Sequence, residues 1–478
     1  MQFQPPGHFR DASALRDRLR ELGATFDLDP ILDPAGFTSP LELFGRSLGN
    51  RFCTQPMEGW DGTAAGGPTA HTLRRWRNFG RSGADLIYGG EAFAVRPDGR
   101  ANPHQLHLGP DSERQLRELL AEVAAGSAET GGGEPLIGLQ LTHSGRFARP
   151  DGPLAPRIAQ HHPLLAQKYS LAADLPLLTD GELEAIGECY VDAAVVAQRA
   201  GFHFVDVKCC HGYLLHEVLA SKTRAGSYGG SLAHRMRLFE RIVAAIRAAC
   251  PGLGIAVRLS AADTVPFEAD PDTRIGRPMS TPGFDWTQHH FGIAADDPTG
   301  FDLTEPIAFC RRLEELDIPL VNVSLGSPYW NPHLQRPASY PPSDGYLPPH
   351  DPLLMVDRHL AVVRSLKQAC GAMQFVGTGY SLLQEWLPNV AQHALRSGHV
   401  DFVGLGRLVL SYAELPRDVI AGRELQRKRI CRTFSDCTTG PRNGMLSGCF
   451  PLDPYYKAMP EAKKVKDIRN AIAKGPQP

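Results

Sequence analysis

The chain has 478 residues with a formal net charge of −2, and acidic and basic residues are mixed along its whole length. This balance offers no concentrated positive charge for nucleic acid or for an anionic membrane surface. No apolar stretch is long enough to cross a bilayer, and no signal peptide is recognisable at the start. Ten scattered cysteines favour reduced thiols over a disulfide framework. We therefore expect a cytoplasmic protein with a small-molecule substrate, and the sequence leaves a homo-oligomer open.

Residues 1–45 are interpreted as an N-terminal extension. They contain a charged stretch, 12–20, that is typical of a helix, followed by a segment rich in proline and aspartate. A regular alternation begins only after this segment. We therefore place the start of the main domain at residue 46.

From Arg51 onward, short apolar runs alternate with longer stretches of helical period. Thr179 and Glu182, for example, have the spacing of a capping box at the start of one such stretch. The apolar runs are too short for helices and predict eight strands, at 51–54, 86–88, 136–141, 204–207, 254–258, 320–323, 375–377 and 402–405. Eight such units predict an α/β fold, a closed (β/α)₈ TIM barrel over residues 46–425, with an open doubly wound sheet as the alternative.

Three connections after predicted strands are longer than simple turns. They span 142–178, 262–300 and 324–352, and the last of them contains Tyr329, Trp330 and many prolines. In a barrel, all three would overhang the end of the barrel where active sites lie. We expect them to act as lids.

Polar side chains cluster directly after the predicted strand 204–207. Lys208, His211 and Tyr213 follow it within six residues. Because loops at the carboxyl ends of parallel strands converge on one crevice, these three are candidate catalytic residues. Packing within a strand-to-helix turn is the alternative role for His211 and Tyr213.

Two further groups of residues point to a phosphate-bearing cofactor. Gly379-Tyr380 and Gly406-Arg407 follow the seventh and eighth predicted strands, where barrels bind phosphate with backbone amides and an arginine. Gln140 and Arg258 also lie at strand ends. An amide and a fixed cation suit the uracil-like edge of a flavin ring.

The order and spacing of several motifs resemble the Old Yellow Enzyme family of FMN-dependent ene reductases over residues 40–422. The resemblance rests on Asn50-Arg51-Phe52 with Pro56-Met57, on Gly90-Glu91-Ala92, on the stretch 138–146, on His211-Gly212-Tyr213, on Arg224 with 228–231, on 257–260 and on 403–407. It implies that FMN lies against Pro56, Met57, Glu58 and Ala92, with Gln140 and Arg258 at its pyrimidine edge. Gly379, Tyr380, Gly406 and Arg407 would surround its phosphate.

The resemblance also implies the reaction. In that family NAD(P)H reduces the flavin, and an alkene conjugated to a carbonyl or nitro group then accepts hydride at its β-carbon. Tyr213 matches the residue that protonates the α-carbon, and His211 matches one of two donors to the carbonyl oxygen. Such donors stabilise charge as it develops on that oxygen.

Two positions depart from the family pattern. Lys208 stands where the first carbonyl donor is usually histidine, and a lysine could hold an enolate or a substrate carboxylate more strongly. Glu58 stands where threonine or cysteine is usual, and a carboxylate there would make the flavin harder to reduce unless it is protonated or turned towards Trp60.

Residues 426–478 are interpreted as a C-terminal arm packed on the barrel. Cys431, Cys437 and Cys449 resemble an incomplete form of the four-cysteine iron–sulfur motif in the 2,4-dienoyl-CoA reductase branch, with Phe434 near the second position. We therefore expect no iron–sulfur cluster and no other metal site. An amine or N-methyl dehydrogenase, or a flavin-binding protein without turnover, are the alternative functions.

Overall fold

The computed structural model describes residues 3–474 and contains a closed barrel of parallel strands. The strands are β1 Phe52–Thr54, β2 Leu86–Ile87, β3 Leu136–Thr142, β4 Phe204–Val207, β5 Gly254–Ser260, β6 Leu320–Ser324, β7 Gln374–Gly377 and β8 Phe402–Leu405. Each strand pairs with its neighbours in chain order, and β8 pairs with β1 to close the ring. A short segment, Ala92–Ala94, extends the pairing of the second unit along β3. The predicted TIM barrel and its eight strands are confirmed.

A helix follows each strand on the outside of the barrel. These helices are α1 Ala70–Arg81, α2 Ser112–Glu129, α3 Asp180–Ala200, α4 Leu232–Ala249, α5 Thr304–Glu315, α6 Pro352–Ala369, α7 Leu387–Arg396 and α8 Leu415–Ile420. The predicted capping box is present, because Thr179 and Glu182 bond to each other's backbone amides at the start of α3. Further helices lie outside this ring, at Ala12–Leu22, Pro163–Tyr169, Leu214–Ala220, Pro332–Gln335, Asp436–Arg442, Pro454–Lys457 and Glu461–Lys474.

The amino end of the barrel is covered by a short antiparallel hairpin. Its strands, Leu41–Leu43 and Arg46–Leu48, pack with apolar side chains from the beginnings of the barrel strands. Phe44 at its turn stacks on Phe204 at a centroid distance of 5.2 Å. The hairpin therefore buries this end of the core, and the opposite end is left for the loops that follow the strands.

The helices α1 and α2 approach each other through glycine. A Cβ atom on Gly80 would lie 2.0 Å from the carbonyl oxygen of Val123, and one on Gly126 would lie 2.0 Å from that of Arg77. These distances are far shorter than any van der Waals contact between carbon and oxygen. Glycine is therefore required where the two backbones touch.

We predict that Gly126→Ala lowers the free energy of unfolding by about 2 kcal/mol, because the clash with a backbone atom outweighs the gain in helix propensity. Denaturant unfolding followed by circular dichroism measures this change. Gly133→Ala is the matched control, since a Cβ there meets nothing within 4 Å. Equal stability of the two variants would contradict the close approach of the helices.

The two ends of the described chain pack on the barrel. Asp29, in the N-terminal segment, accepts hydrogen bonds from Gln392, His393 and Arg396 of α7. At the other end, Asp453 forms an ion pair with Arg74 of α1. Residues 1, 2 and 475–478 of the proposed extension and arm lie outside the described residues. None of the helices within 3–474 is both long enough and apolar enough to span a membrane.

Candidate active site

A cavity of about 760 Å³ opens at the carboxyl ends of the strands. The long connections after β3 and β6 contribute to its walls through Arg149, Tyr169 and Tyr329, and the C-terminal arm contributes Arg442. The third predicted lid, 262–300, does not line the cavity. Its hairpin, Phe267–Ala269 with Gly276–Pro278, instead bonds to the backbone of the connection after β6 and supports it from behind.

His211 and Tyr213 are held by the turn that follows β4. The backbone of His211 is left-handed, with φ 64°, and that of Gly212 has φ 77°. A Cβ on Gly212 would lie 2.1 Å from the ring of Trp330, so only glycine fits there. The chain then enters the helix Leu214–Ala220, with Tyr213 as its N-cap. The turn thus presents both side chains to the cavity.

The His211 imidazole lies between two polar side chains. Its Nε2 is 2.9 Å from Ser324 Oγ and 3.3 Å from Gln335 Nε2. Burial lowers the pKa of His211 well below its usual range, and the positive charges of Arg258 and Lys208 lower it further. The ring is therefore neutral at neutral pH. A neutral imidazole can donate one hydrogen bond to a ligand.

The Tyr213 hydroxyl donates a hydrogen bond to the carboxylate of Glu58, and it lies 2.8 Å from the hydroxyl of Tyr329. Glu58 also accepts a bond of 3.3 Å from Asn102 Nδ2. Burial and the charge of Glu58 raise the pKa of Tyr213 well above its ordinary value. Tyr213 is therefore protonated throughout the neutral range. Glu58, predicted as a residue of the flavin site, is turned to Tyr213 and Asn102.

Lys208 lies against the same tyrosine. Its Nζ is 3.8 Å from the centre of the Tyr213 ring, a cation–π contact. Burial lowers the pKa of Lys208, while the nearby charge of Glu58 opposes this change. The ammonium group thus has both an aromatic face and a carboxylate near it within the cavity wall.

Gln140 and Arg258 are joined by a carboxylate that sequence analysis missed. Asp206 of β4 accepts 2.6 Å hydrogen bonds from Gln140 Nε2 and from the backbone amide of Arg258. Burial raises the pKa of Asp206 to about 7. The Arg258 guanidinium donates to the carbonyl of Pro56, at 3.0 Å, and its Nε has no partner among the described residues. The signal for Asp206 was a charged residue inside an apolar, fully buried strand.

The part of the cavity that is lined by Gly379 and Gly406 has the features of a phosphate site. Gly379, with φ 100°, Gly406 and Arg407 line it together with Thr378 and Ser381. A buried nitrogen of Arg407, Nη1, and one of Arg336, Nη2, have no hydrogen-bond partner among the described residues. Buried polar atoms are normally paired, so these two nitrogens point to an anionic ligand.

Two predicted cofactor residues do not line the cavity with their side chains. The Tyr380 ring is fully buried, and its hydroxyl, close to Gly377, has no partner among residues 3–474. The Tyr380 side chain therefore does not reach the cavity, and the prediction that Tyr380 helps to surround the phosphate concerns its backbone amide. Ala92 pairs with Gln140 and is likewise buried, and its carbonyl accepts from Gln105.

The remaining residues fit FMN. Pro56 and Met57 line one wall, Gln140 and Arg258 form a polar edge, and the partnerless nitrogens of Arg336 and Arg407 lie at the glycine-lined end. A volume of about 760 Å³ is within the usual range for ligand and cofactor sites. Sequence analysis missed Asn102, Arg336 and Arg442, because nothing in their local sequence marks them as facing this cavity.

Cys431, Cys437 and Cys449 all lie in the C-terminal arm as free thiols. Cys437 lines the cavity, and the other two are buried. Within the described part of the chain, no three histidine, cysteine, aspartate or glutamate side chains converge in a way that would hold a metal ion.

Together, the barrel, the polar flavin-type edge and the phosphate-type end define a flavin-dependent (β/α)₈ oxidoreductase. The sequence model of the NADH:flavin oxidoreductase / NADH oxidase family matches residues 37–271. This match confirms the predicted Old Yellow Enzyme relationship, and the protein is a flavin-dependent NAD(P)H oxidoreductase.

Similar proteins agree with this assignment. An NADPH dehydrogenase of Geobacillus thermodenitrificans (strain NG80-2) is 25% identical over 384 residues, which are 78% of this chain and 90% of that protein. Morphinone reductase has the same fold with a TM-score of 0.53 and 20% identity, and the alignment covers 82% of this chain and 90% of that one. A 2-naphthoyl-CoA reductase gives a TM-score of 0.64 at 17% identity over 91% of this chain, which spans only 58% of that longer protein.

Proposed function

We propose that this protein binds FMN and uses NAD(P)H to reduce a carbon–carbon double bond conjugated to an electron-withdrawing group. The observation that carries this proposal is the joint presentation of Tyr213, His211 and Lys208 beside the polar edge formed by Gln140 and Arg258. A protonated hydroxyl, a neutral imidazole and an ammonium group thus face one space. These are the groups that protonation of an enolate requires.

When bound, FMN supplies hydride chemistry between NAD(P)H and the alkene. Gln140 and Arg258 would hold its polar edge, Pro56 and Met57 its ring, and the backbone at Gly379 and Gly406 its phosphate, with the Arg407 guanidinium. Asp206 is the residue that fixes this edge, because it bonds to both Gln140 and the backbone of Arg258.

The catalytic groups of the chain act on the substrate oxygen and the α-carbon. Reduction of a conjugated alkene places negative charge on the oxygen of the activating group, and donors preorganised around that oxygen stabilise it. His211 and Lys208 supply these donors. Tyr213 gives its proton to the α-carbon and leaves a phenolate, which is then reprotonated from solvent. The raised pKa keeps Tyr213 protonated before each turnover.

An amine or N-methyl dehydrogenase is the second candidate, and the Glu58 carboxylate is the observation that favours it. A carboxylate beside Tyr213 and Tyr329 would attract a cationic amine. However, basic residues greatly outnumber acidic ones around the cavity, and Lys208 lies directly over the Tyr213 ring. These positive charges oppose the binding of a cation, so alkene reduction is the better-supported function.

The purified full-length protein tests the proposal. We expect it to be yellow and to lose its visible flavin absorbance when NADPH or NADH is added without oxygen. Addition of 2-cyclohexenone should then restore the colour in a single turnover. If trimethylamine or another amine bleaches the oxidised protein instead, and enones leave the reduced protein unchanged, the dehydrogenase is the correct function.

A further inference from the structure

The cavity is strongly positive although the whole chain is slightly negative. The net charge of the chain is −2. The carboxylate, lysine and arginine side chains that line the cavity are two acids and seven bases, namely Glu58 and Asp344 against Arg149, Lys168, Lys208, Arg258, Arg336, Arg407 and Arg442. Such an excess in a concave site focuses a positive potential and attracts anions.

Flavin binding accounts for only part of this charge. Arg258 lies at the polar edge, and Arg407 and Arg336 have partnerless nitrogens at the phosphate-type end. Lys208 is also accounted for, because its Nζ contacts the ring of Tyr213 in the proposed catalytic group. This leaves three cations in the outer part of the cavity with no role in the proposed reaction, namely Arg149, Lys168 and Arg442.

Arg149 and Lys168 belong to the connection after β3 and Arg442 belongs to the C-terminal arm, and the three side chains meet around Tyr169 and Tyr329. Arg442 Nη2 donates to the carbonyl of Pro328, and Lys168 Nζ donates to that of Phe267 at 2.7 Å. Tyr169 donates to the carbonyl of Tyr329, whose hydroxyl lies 2.8 Å from that of Tyr213. The outer cations are thus one aromatic layer away from the proposed proton donor.

Few acids balance the outer group. Asp344 pairs with Arg442, but the Asp344 side chain is 57% exposed at the rim. Among residues 3–474, the Arg149 guanidinium forms no ion pair and no side-chain hydrogen bond. Burial lowers the pKa of both Arg442 and Lys168. Repulsion from Arg149 contributes at Arg442 and repulsion from Arg442 at Lys168, while the charge of Glu268 opposes the change at Lys168. Cations held together in this way are stabilised when an anion binds between them.

We propose that Arg149, Lys168 and Arg442 form an anion-binding vestibule for a phosphate or carboxylate tail of a ligand whose reacting end reaches Tyr213. This inference rests on the proposed function for the position of the reacting end. Two kinds of ligand carry such a tail. NAD(P)H carries it as phosphates, and an alkene substrate carries it as an acidic substituent. Two experiments distinguish these sources.

Binding without turnover provides the first test. Isothermal titration calorimetry with the FMN-loaded protein compares 4-(3-oxobutyl)benzoate, a saturated ketone with a remote carboxylate, with its methyl ester. We expect Arg149→Gln and Arg442→Gln each to lower the ratio of acid to ester affinity by about tenfold. Asp344→Asn should raise the same ratio, since it removes the rim acid. Arg114→Gln, an exposed arginine on α2, is the matched control.

The reductant provides the second test. Anaerobic reduction of the flavin is followed with NADPH and with 1-benzyl-1,4-dihydronicotinamide, which carries no phosphate. If the vestibule holds the phosphates of the reductant, Arg442→Gln raises the dissociation constant for NADPH relative to that for the benzyl compound by about tenfold, and added salt reduces this difference.

The results test the vestibule and the proposed reaction independently. A selective effect on the acid or on NADPH supports the vestibule and identifies the source of the tail. If the Arg149→Gln, Arg442→Gln double variant keeps both the preference for the acid over the ester and the preference for NADPH over the benzyl compound, the vestibule is overturned. This holds even if the enzyme reduces neutral enones normally. Failure of every enone to be reduced overturns the proposed function, while the calorimetric ratio still reports on the vestibule.

Discussion

Tyr213→Phe is expected to slow reoxidation of the reduced enzyme by an enone about 10²- to 10⁴-fold, the usual contribution of a positioned general acid. Reduction by NAD(P)H should remain close to that of the wild type, because hydride transfer from a nicotinamide needs no proton from Tyr213. Anaerobic stopped-flow measurement of the two half-reactions separates these effects. The substitution removes only the buried hydroxyl group that bonds to Glu58 and Tyr329.

Tyr88→Phe is the matched control for that variant. Tyr88 is buried at the amino end of the barrel, and its hydroxyl has no partner among the described residues. It should leave both half-reactions as they are. If Tyr213→Phe slows both half-reactions equally, Tyr213 positions the ligands and another group supplies the proton.

The regular part of this molecule could be predicted from the sequence because its signals are local. The barrel strands are short, fully buried apolar runs, and polar residues at their ends converge by the geometry of parallel sheets. This is why the sequence alone places Lys208, His211 and Tyr213 together. The Gly379 loop was found for the same reason, but the direction of the Tyr380 side chain was not, because local sequence does not encode it.

Contacts between distant segments could not be predicted in the same way. Tyr329 reaches Tyr213 across 116 residues of sequence, and Glu58 reaches it across 155. Arg442 enters the cavity from an arm that was interpreted as structural. These side chains lie on irregular segments, where no periodicity fixes their direction. Their positions depend on how the long connections pack, which a single sequence does not reveal.

The contact between Glu58 and Tyr213 favours one requirement of the proposed reaction and opposes another. The charge of Glu58 helps to raise the pKa of Tyr213 and so keeps its proton in place to high pH. The same interaction makes Tyr213 a weaker acid, since the phenolate left after proton transfer lies beside a carboxylate. Lys208, 3.8 Å above the ring, offsets part of this repulsion.

Glu58→Gln is therefore expected to change the pH dependence of reoxidation. In the wild type, the raised pKa means that the protonated form persists above the ordinary value for tyrosine, so the rate stays level into the alkaline range. Without the charge, the pKa of Tyr213 falls, and the rate should decline at a lower pH than in the wild type. At neutral pH the better acid should react roughly threefold faster for each unit of lowered pKa.

The measurement is the single-turnover rate of enone-dependent reoxidation from about pH 6 to the highest pH at which the protein stays folded, because burial keeps the pKa of Tyr213 above its reference value even without the charge of Glu58. Glu113→Gln, on the exposed face of α2, is the control for loss of a carboxylate. A large fall in rate with an unchanged alkaline limb would mean that Glu58 orients the Tyr213 hydroxyl and does not tune its acidity. An alkaline limb that moves to lower pH in Glu58→Gln, with no such move in Glu113→Gln, would show that the position departing from the family pattern sets the strength of the proposed proton donor.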